Sequence, residues 1–332
     1  MAFRNIPTVL TAEEIINKAF RNSSKITIND REHFYWVRNT AMARVQAVSQ
    51  TIDAVLLKYV EAFPSFDRLH PFYYELAELL IGVNPTKKSL GGIDWCRKQV
   101  AAIASKHLSQ MRKTRNESTI EHLRESAYGR IASVVKQLAP DLEFLNKVRN
   151  EIRKIPTVDT VAPTIVVAGF PNVGKSSLVK LISSATPEIA PYPFTTKGIH
   201  VGYFEHRWVR YQVIDTPGIL DRPLEKMNDA ERQAMMALKN LANLIIFIID
   251  PTGHCGYSPE EQEGLMETVR KTFKVPVIVV ENKSDISKTE SDRPKISTAT
   301  GAGADVIVKE ALAIMRKDMP KMEAIRDDHM IL

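Results

Sequence analysis

The stretch GFPNVGKS at residues 169–176 decides the fold of this 332-residue chain. Two glycines separated by four residues, followed by Lys175 and Ser176, form the pattern of a phosphate-binding loop. An apolar run rich in β-branched residues precedes the loop at 164–168, and a helical pattern follows it. In this context, we expect backbone N–H groups to surround phosphates, Lys175 to reach the β- and γ-phosphates, and the Ser176 hydroxyl to bind Mg²⁺.

The sequence after the loop alternates between strands and helices. Continuous apolar runs at 211–215, 244–250 and 275–282 are typical of strands buried on both faces of a mainly parallel sheet. Helical patterns lie between or after them, at 231–241, 259–273 and 304–317. We therefore predict a doubly wound α/β domain over 164–320 and a short C-terminal tail over 321–332.

Two further motifs follow in the order that a GTPase requires. Asp215-Thr-Pro-Gly218 begins 40 residues after Lys175; its carboxylate is expected to hold Mg²⁺, and its glycine N–H to bond the γ-phosphate. Asn282-Lys-Ser-Asp285 follows a strand, and its aspartate can accept two hydrogen bonds from guanine that adenine cannot donate. A site built on such buried hydrogen bonds rejects the wrong base strongly. The chain is therefore predicted to bind GTP.

Two weaker signals complete the predicted site. A backbone N–H of Ser297-Thr298 is expected to contact guanine. In the segment 191–198, Thr196 is preferred over Thr195 as the residue that reaches Mg²⁺ and the γ-phosphate, and a proline-rich surface loop is the alternative. The predicted nucleotide-binding residues are Pro171, Asn172, Val173, Gly174, Lys175, Ser176, Ser177, Asp215, Gly218, Asn282, Lys283, Asp285, Ser297 and Thr298. Lys175, Thr196 and Gly218 are the predicted catalytic residues, and Ser176, Thr196 and Asp215 the predicted magnesium ligands.

The first half of the chain has helical periodicity throughout, with no strand-like alternation. Its second helix is expected to be capped by Asn29, and a loop around Pro85 is expected to precede a long helix from near Ile93. We predict an antiparallel helical bundle over 1–155 and a linker over 156–163. The predicted fold is thus an N-terminal helical bundle followed by a P-loop GTPase domain with a mainly parallel, doubly wound sheet.

Charge is distributed unevenly between the two halves. Residues 1–155 hold 24 basic and 16 acidic residues, whereas 156–332 hold 21 and 23. The excess positive charge of the helical half favours a polyanion such as RNA as partner, and a solvated helical surface is the alternative. Two cysteines exclude a disulfide framework. Without a signal peptide or a membrane-length apolar run, we expect a cytoplasmic protein with neither DNA nor a membrane as partner.

Specific side chains of the helical half are candidate RNA contacts. The candidate phosphate contacts are Lys87, Lys88, Arg97, Lys98, Arg112, Lys113 and Arg115. The candidate stacking residues are Phe34, Tyr35, Trp36, Phe72, Tyr73 and Tyr74. Burial in the bundle core is the preferred interpretation of most of these aromatic residues.

The residues from Gly169 to Gly218 resemble the Obg lineage of GTPases. EIAPYPFTTKGIHVGYF, VIDTPGILDRP and IIDPTGHCGYSPEEQ are similar to its Nog branch, the nucleolar GTP-binding proteins. IPTVLTAEEIINKAF, FDRLHPFYYEL and IPTVDTVAPTIVVAGFPNVGKSSLV in the first half and the linker also look Nog-like. The resemblance implies a compact, archaeal-type member with a helical bundle, a GTPase domain and a role in assembling the large ribosomal subunit on its rRNA.

The resemblance also bears on the rate of hydrolysis. Ras-type GTPases position the attacking water with a glutamine just after the glycine of the third motif, where this chain has Ile219. The resemblance therefore implies slow intrinsic hydrolysis. It also makes K⁺ a candidate cofactor beside Mg²⁺, because relatives with asparagine at the Asn172 position use this ion; a loop-stabilising hydrogen bond is the alternative for Asn172. Two functions are weighed: a GTPase switch in subunit assembly, and an RNA-binding structural placeholder with negligible turnover.

Overall fold

The computed structural model describes residues 3, 5–193, 195, 198–221, 227–287 and 289–330, with side chains as far as Lys317. The chain divides into two compact units. The first comprises Met1–Arg68 and Leu80–Arg153, and the second comprises Leu69–Leu79 and Lys154–Leu332. No helix in the described ranges is long and apolar enough to cross a membrane.

Helices make up the chain before the linker. They are α1 (Ala12–Ser24), α2 (His33–Ala62), α3 (Pro71–Ile81), α4 (Val83–Lys113), α5 (Glu117–Gln137) and α6 (Ala139–Ile152). The core of the first unit includes a cluster of buried side chains from α2, α4 and α5, namely Val45, Ala104, Met111 and Ala127. This packing confirms a helical N-terminal region, and it results from apolar residues that recur at helical spacing.

The predicted cap of α2 at Asn29 is wrong. The helix begins at His33, and the residue before it makes no side-chain cap hydrogen bond. The chain ahead of the helix is instead held by side chains of α2 itself: Thr40 accepts a hydrogen bond from the Ile28 N–H (3.0 Å), and Arg44 donates one to the Ile26 carbonyl (2.9 Å). These bonds fix the chain at Ile26 and Ile28, and bends at Arg31 and Glu32 then lead into the helix.

The predicted loop around Pro85 is also wrong, because α4 begins at Val83 and runs through it. The proline lies in the first turn, where its missing N–H removes no helical hydrogen bond. Gly92 lies against α6, and a Cβ there would meet the Asp141 carboxylate at 3.2 Å. A helix-weakening glycine is therefore present because α4 and α6 approach closely.

The second unit is built on a six-stranded sheet with the order β2-β3-β4-β1-β5-β6. The strands are β1 (Thr164–Ala168), β2 (Glu188–Ala190), β3 (Ile199–His206), β4 (Val209–Asp215), β5 (Leu244–Ile249) and β6 (Val277–Glu281). β1 pairs in parallel with β4 and β5, and β5 with β6, whereas β2, β3 and β4 pair antiparallel. The mainly parallel sheet is confirmed, and the antiparallel β2 and β3 are additions to the prediction.

Four helices accompany these strands in the described ranges: α7 (Lys175–Ile182), α8 (Asp229–Lys239), α9 (Pro259–Phe273) and α10 (Ala304–Met330). Ser258 caps α9 in a capping box with Glu261, and Pro259 occupies its first turn. This start and the end at Phe273 are those predicted from the sequence. The predicted last helix ends at Lys317, whereas α10 continues to Met330.

Helix α3 belongs, up to Leu79, to the second unit, although the helical bundle was predicted to include it. The Tyr73 hydroxyl donates a hydrogen bond to the Val158 carbonyl (2.8 Å) and accepts one from the Val158 N–H (3.0 Å). The Phe72 ring is fully buried, with its centroid 6.4 Å from that of Tyr192. These contacts join α3 to the linker and to the loop before β3, which explains why Leu69–Leu79 belongs to the second unit.

Candidate nucleotide-binding site

The predicted motifs meet at one edge of the sheet. The strands β1, β4, β5 and β6 run in the same direction, so their carboxyl ends share an edge. The segment 169–176 follows β1, the segment 215–218 ends β4, and the segment 282–285 follows β6. The carboxyl edge of an open α/β sheet is where ligands bind in this architecture.

Glycines shape the first loop, 169–176, because side chains would collide there. Gly169 has φ 136°, and a Cβ would lie 2.5 Å from the Ile248 carbonyl oxygen. Gly174 has φ 107°, and a Cβ would lie 2.2 Å from the Asn282 amide nitrogen. The second glycine also opens α7, whose N-terminal N–H groups form a favourable site for an anion.

Lys175 is buried at the start of α7. Its ammonium donates hydrogen bonds to the carbonyls of Gly169 (2.8 Å) and Phe170 (2.9 Å). Burial lowers the pKa of Lys175, and the Asp215 carboxylate opposes this effect. Backbone carbonyls therefore stabilise a cation whose burial is energetically unfavourable, and this cation lies where phosphate is expected to bind. Ser177 lies exposed on the same helix, and Pro171 lies half-buried in the loop.

Asp215 is fully buried at the end of β4. One carboxylate oxygen accepts a hydrogen bond from the Ser176 hydroxyl and lies 3.2 Å from His200 Nδ1. The other oxygen is buried with no hydrogen-bond partner in the described part of the chain. An unpaired buried acceptor is costly, and serine hydroxyl and carboxylate oxygens suit Mg²⁺. These two residues therefore fit a magnesium ion.

His200 was not predicted as a site residue. It pairs with Asp215 in the antiparallel ladder between β3 and β4. Only the pairing of these two strands places the imidazole beside the carboxylate, and β3 itself was not predicted.

The glycine of the third motif, Gly218, has a positive φ of 83°. Its N–H donates a hydrogen bond to the Asp221 carboxylate (2.7 Å). The following residue, Ile219, is 4% exposed and lines a small apolar cavity with side chains that include Met235 and Leu265. An apolar side chain in such a cavity cannot orient an attacking water by hydrogen bonding.

The segment before β3 is described in part. The Thr195 hydroxyl donates a hydrogen bond to the Tyr192 carbonyl (2.9 Å) and accepts one from the Gly198 N–H (3.1 Å). Both of its hydrogen bonds are therefore made to neighbouring residues of the same segment. The buried Tyr192 hydroxyl donates to the Ala234 carbonyl of α8 (2.7 Å). Thr196, the predicted magnesium ligand, lies outside the described residues.

Asn282 connects the phosphate loop to the last predicted loop. Its side-chain amide donates to the Val173 carbonyl (2.7 Å) and to the Thr298 hydroxyl (3.0 Å), and its amide oxygen accepts from the Thr298 N–H (2.9 Å). Ser297 is buried, and its hydroxyl accepts a hydrogen bond from Thr300. The structure therefore brings Val173, Gly174, Asn282, Ser297 and Thr298 together.

Asp285, the predicted guanine-binding residue, is exposed at this edge. Its carboxylate has no hydrogen bond to any side chain or backbone group that the structure describes. The carboxylate is therefore accessible to a ligand.

Asp250 is a buried site residue that sequence reasoning missed. Its carboxylate lies 2.5 Å from the Lys283 ammonium and accepts hydrogen bonds from Thr252 (3.0 Å) and the Cys255 N–H (2.7 Å). Burial raises the pKa of Asp250, but these hydrogen bonds outweigh it and lower the pKa overall. The sequence feature that could have indicated Asp250 is its position directly after the apolar run of β5.

The segment after β5 also contacts the phosphate loop, because the Tyr257 ring stacks on Phe170 with centroids 4.1 Å apart.

The candidate RNA contacts in the helical half separate into two groups. Lys87, Arg97 and Lys98 form ion pairs with Asp67, Asp53 and Asp94. Four other basic candidates are exposed and form no ion pair in the ranges described: Lys88, Arg112, Lys113 and Arg115.

The aromatic candidates differ in exposure. Phe72 is buried, whereas Tyr35, Trp36 and Tyr74 are each more than a third exposed. The preferred interpretation, burial in the bundle core, is therefore wrong for these three.

Comparisons with known proteins agree with this architecture. Residues 3–159 match the NOG1 N-terminal helical domain, and residues 229–285 match the family nucleolar GTP-binding protein 1 (NOG1). An uncharacterized protein of Methanocaldococcus jannaschii is 38% identical over 292 residues, which are 87% of this chain and 82% of that protein. Nucleolar GTP-binding protein 1 of Drosophila melanogaster is 34% identical over 297 residues, 88% of this chain and 45% of that protein.

The chain spans about half the length of the curated eukaryotic relatives it matches. A crystal structure of a protein described as nucleolar GTP-binding protein 1 from Plasmodium falciparum is 28% identical, with a TM-score of 0.47, and the match covers 53% of this chain and 98% of that one. The two family matches and the relatives lead to one assignment: the chain belongs to the nucleolar GTP-binding protein 1 family.

Proposed function

We propose that this chain binds GTP with Mg²⁺, hydrolyses it to GDP and phosphate, and acts as a switch in the assembly of the large ribosomal subunit. The observation that carries the proposal is the connection made by Asn282. Its hydrogen bonds to Val173 and Thr298 join the phosphate loop, the guanine motif and the last loop into one site. Membership of a family of GTP-binding proteins supports the same ligand.

Each motif has a role in this proposal. Lys175 and the N–H groups at the start of α7 bind the phosphates, and the Gly218 N–H turns from Asp221 to the γ-phosphate. Ser176, Asp215 and Thr196 hold Mg²⁺, which when bound neutralises charge on the phosphate oxygens. The Thr195 hydroxyl is occupied within its own turn, which supports Thr196 as the residue that reaches the metal.

We propose slow intrinsic turnover that K⁺ accelerates. The apolar surroundings of Ile219 support the slow rate. Asn172 is exposed at φ 61°, and its side chain forms no hydrogen bond with the described residues, which argues against a loop-stabilising role and supports a ligand role. A cation there would supply positive charge in the way that an arginine finger does elsewhere.

The proposed macromolecular partner is large-subunit rRNA or a pre-ribosomal particle, and the proposed location is the cytoplasm. The exposed cations at the end of α4 and after it, Arg112, Lys113 and Arg115, support an RNA contact. Affinity for RNA that depends on such contacts falls steeply with salt concentration.

The decisive experiment measures GTP hydrolysis by the purified chain in KCl and in NaCl at equal ionic strength, with and without large-subunit precursor particles. We expect faster turnover in KCl and further stimulation by the particles, with Asn172→Ala insensitive to the choice of salt and Lys175→Ala inactive. Equal rates in both salts would exclude the potassium effect. Tight GTP binding without turnover in every condition would exclude the switch and favour a structural placeholder.

The switch role also has a test in cells. Ser176→Ala removes the proposed magnesium ligand at a half-buried position, so we expect it to fail to support subunit assembly. Full support of assembly by this variant would contradict the switch.

A further inference from the structure

A β-hairpin joins β3 and β4 at the end of the sheet away from the nucleotide motifs. His206 pairs with Val209, and the two-residue turn between them is Arg207-Trp208. The tryptophan is fully exposed, with a relative exposure of 101%, and Arg207 is also exposed. A large apolar side chain is thus held at the tip of a regular element, entirely in water.

The turn adopts a conformation that suits neither of its residues. Arg207 has φ 48° and Trp208 has φ 68°, both in the left-handed region. Two-residue hairpin turns of this type favour Asn-Gly or similar pairs because a Cβ is disfavoured there. A regular ladder from His200–Asp215 to His206–Val209 holds the strands in register despite the unfavourable backbone conformation of the turn. The requirements of the turn therefore do not explain these two side chains.

Two arginines, Arg207 and Arg210, lie within two residues of Trp208 in the sequence. Arg207 forms no ion pair with the residues described. The Arg210 guanidinium lies over the Tyr203 ring, 3.8 Å from its centroid, and is exposed. Glu205 is the acidic residue that faces Arg210 across the ladder. The tip thus presents an exposed indole with Arg207 beside it in the turn, and the exposed Arg210 follows on β4 with its guanidinium over Tyr203.

We propose that the hairpin tip is a binding site for an unpaired RNA base, with Trp208 stacking on the base and Arg207 and Arg210 contacting the adjacent phosphates. The inference rests on the proposed RNA partner and adds a second contact in the nucleotide-binding unit. Base stacking on aromatic side chains beside a basic groove is the usual mode of single-strand recognition. The arginines favour RNA over an apolar protein surface.

The tip is separate from the nucleotide site. His200 and Asp215 stand at one end of the β3–β4 ladder and Arg207-Trp208 at the other. Six residues at about 3.3 Å each place the two ends roughly 20 Å apart. Changes at the tip should therefore leave GTP binding intact, which makes a change in RNA binding interpretable.

The test measures the affinity of the full chain for a fluorescein-labelled 12-nucleotide oligo(A) and for a duplex RNA of equal length, by fluorescence anisotropy. Trp208→Ala should weaken oligo(A) binding by roughly 5- to 150-fold, the range for loss of a stacked base, and should change duplex binding little. Trp208→Phe should retain most of the affinity. Trp95→Ala is the matched control, because Trp95 is 48% exposed on α4 and outside the proposed site; it should bind as the wild type does.

A second readout observes the indole directly. In a Trp36→Phe, Trp95→Phe background, Trp208 is the remaining tryptophan of the chain, and oligo(A) should quench its fluorescence. Wild-type affinity in Trp208→Ala would overturn the inference and leave the proposed function standing, because RNA would then bind through the basic helices. If the wild type bound the duplex but not oligo(A), the inference alone would be overturned. If it bound neither RNA, the RNA part of the proposed function would be overturned too, whereas GTP binding, measured separately, tests the rest.

Discussion

The phosphate side and the base side of the candidate site satisfy their polar groups in different ways. On the base side, Asn282 makes three hydrogen bonds and Lys283 is paired with the buried Asp250. On the phosphate side, Lys175 bonds to loop carbonyls, while one oxygen of Asp215 and the Thr216 hydroxyl are buried with no partner in the described residues.

The difference indicates which part of the site is built in advance. The base side is a satisfied network, which in a low-dielectric interior is rigid and stabilising. The phosphate side keeps a buried cation and unpaired oxygens, which reduce stability and which we propose a ligand satisfies. We infer that the base side contributes to folding and that the phosphate side contributes mainly to binding.

The largest expected effect is at the carboxylate that reads the base. Asp285→Ala removes the acceptor of the two charge-assisted hydrogen bonds that we propose with guanine, each worth about 1.5–3 kcal/mol, so GTP affinity should fall by roughly 10²- to 10⁴-fold. The free energy of unfolding should hardly change, because Asp285 is exposed and makes no hydrogen bond in the described residues. Isothermal titration with GTP and ATP measures the affinities.

Asp292→Ala is the matched control for this prediction, because it removes another exposed carboxylate from the same connection. It should bind GTP as the wild type does. If Asp285→Ala retained GTP affinity within about threefold, the assignment of the base side to guanine would be wrong.

The next effect tests whether the base side stabilises the fold. Asp250→Ala leaves the ammonium of Lys283, whose side chain is 19% exposed, without its carboxylate, and it also leaves the Cys255 N–H unpaired. Breaking a buried pair from one side costs about 3 kcal/mol or more in unfolding free energy. Urea denaturation of the nucleotide-free chain measures this loss, and Asp250→Asn should lose less because it keeps an acceptor for the N–H groups.

The stability that the Asp250 carboxylate contributes should depend on pH in a defined direction. The folded-state pKa of Asp250 is lowered below its ordinary value of 3.8, so its stabilisation is fully present above that value and is lost as the pH falls through the lowered pKa. The difference in stability between the wild type and Asp250→Asn should therefore persist from pH 7 to about pH 4 and shrink below it. A difference that is constant down to pH 2.5 would contradict the ion pair.

The two sides also differ in how well the sequence predicts them. The phosphate loop is one continuous motif between a strand and a helix, so its residues are read directly from the chain. The Asp250–Lys283 pair joins residues 33 positions apart, and only the adjacent placement of β5 and β6 brings them together. The same limit explains His200, whose partner is set by the ladder between β3 and β4.

Local patterns explain which elements could be predicted. β5 is an uninterrupted apolar run, as is typical of a strand buried on both faces, and its whole length is buried. β2 has three residues and an Ile189 that is 71% exposed, so it carries no apolar signal. Pro85 indicated a loop from propensity alone, whereas the first turn of a helix accommodates it.

The smallest expected effect on the free energy of unfolding is at Lys175, and it separates the two sides most clearly. Burial lowers the pKa of Lys175 from its ordinary 10.5, so below the lowered value the charge reduces stability, and stability rises with pH through the window between the two values. Lys175→Met should abolish GTP binding yet leave the nucleotide-free chain as stable as the wild type at pH 7.5, or more stable by up to about 1 kcal/mol. Any gain should shrink by pH 10 in urea denaturation. A loss comparable to that of Asp250→Ala would mean that the phosphate side is as much a part of the folded frame as the base side.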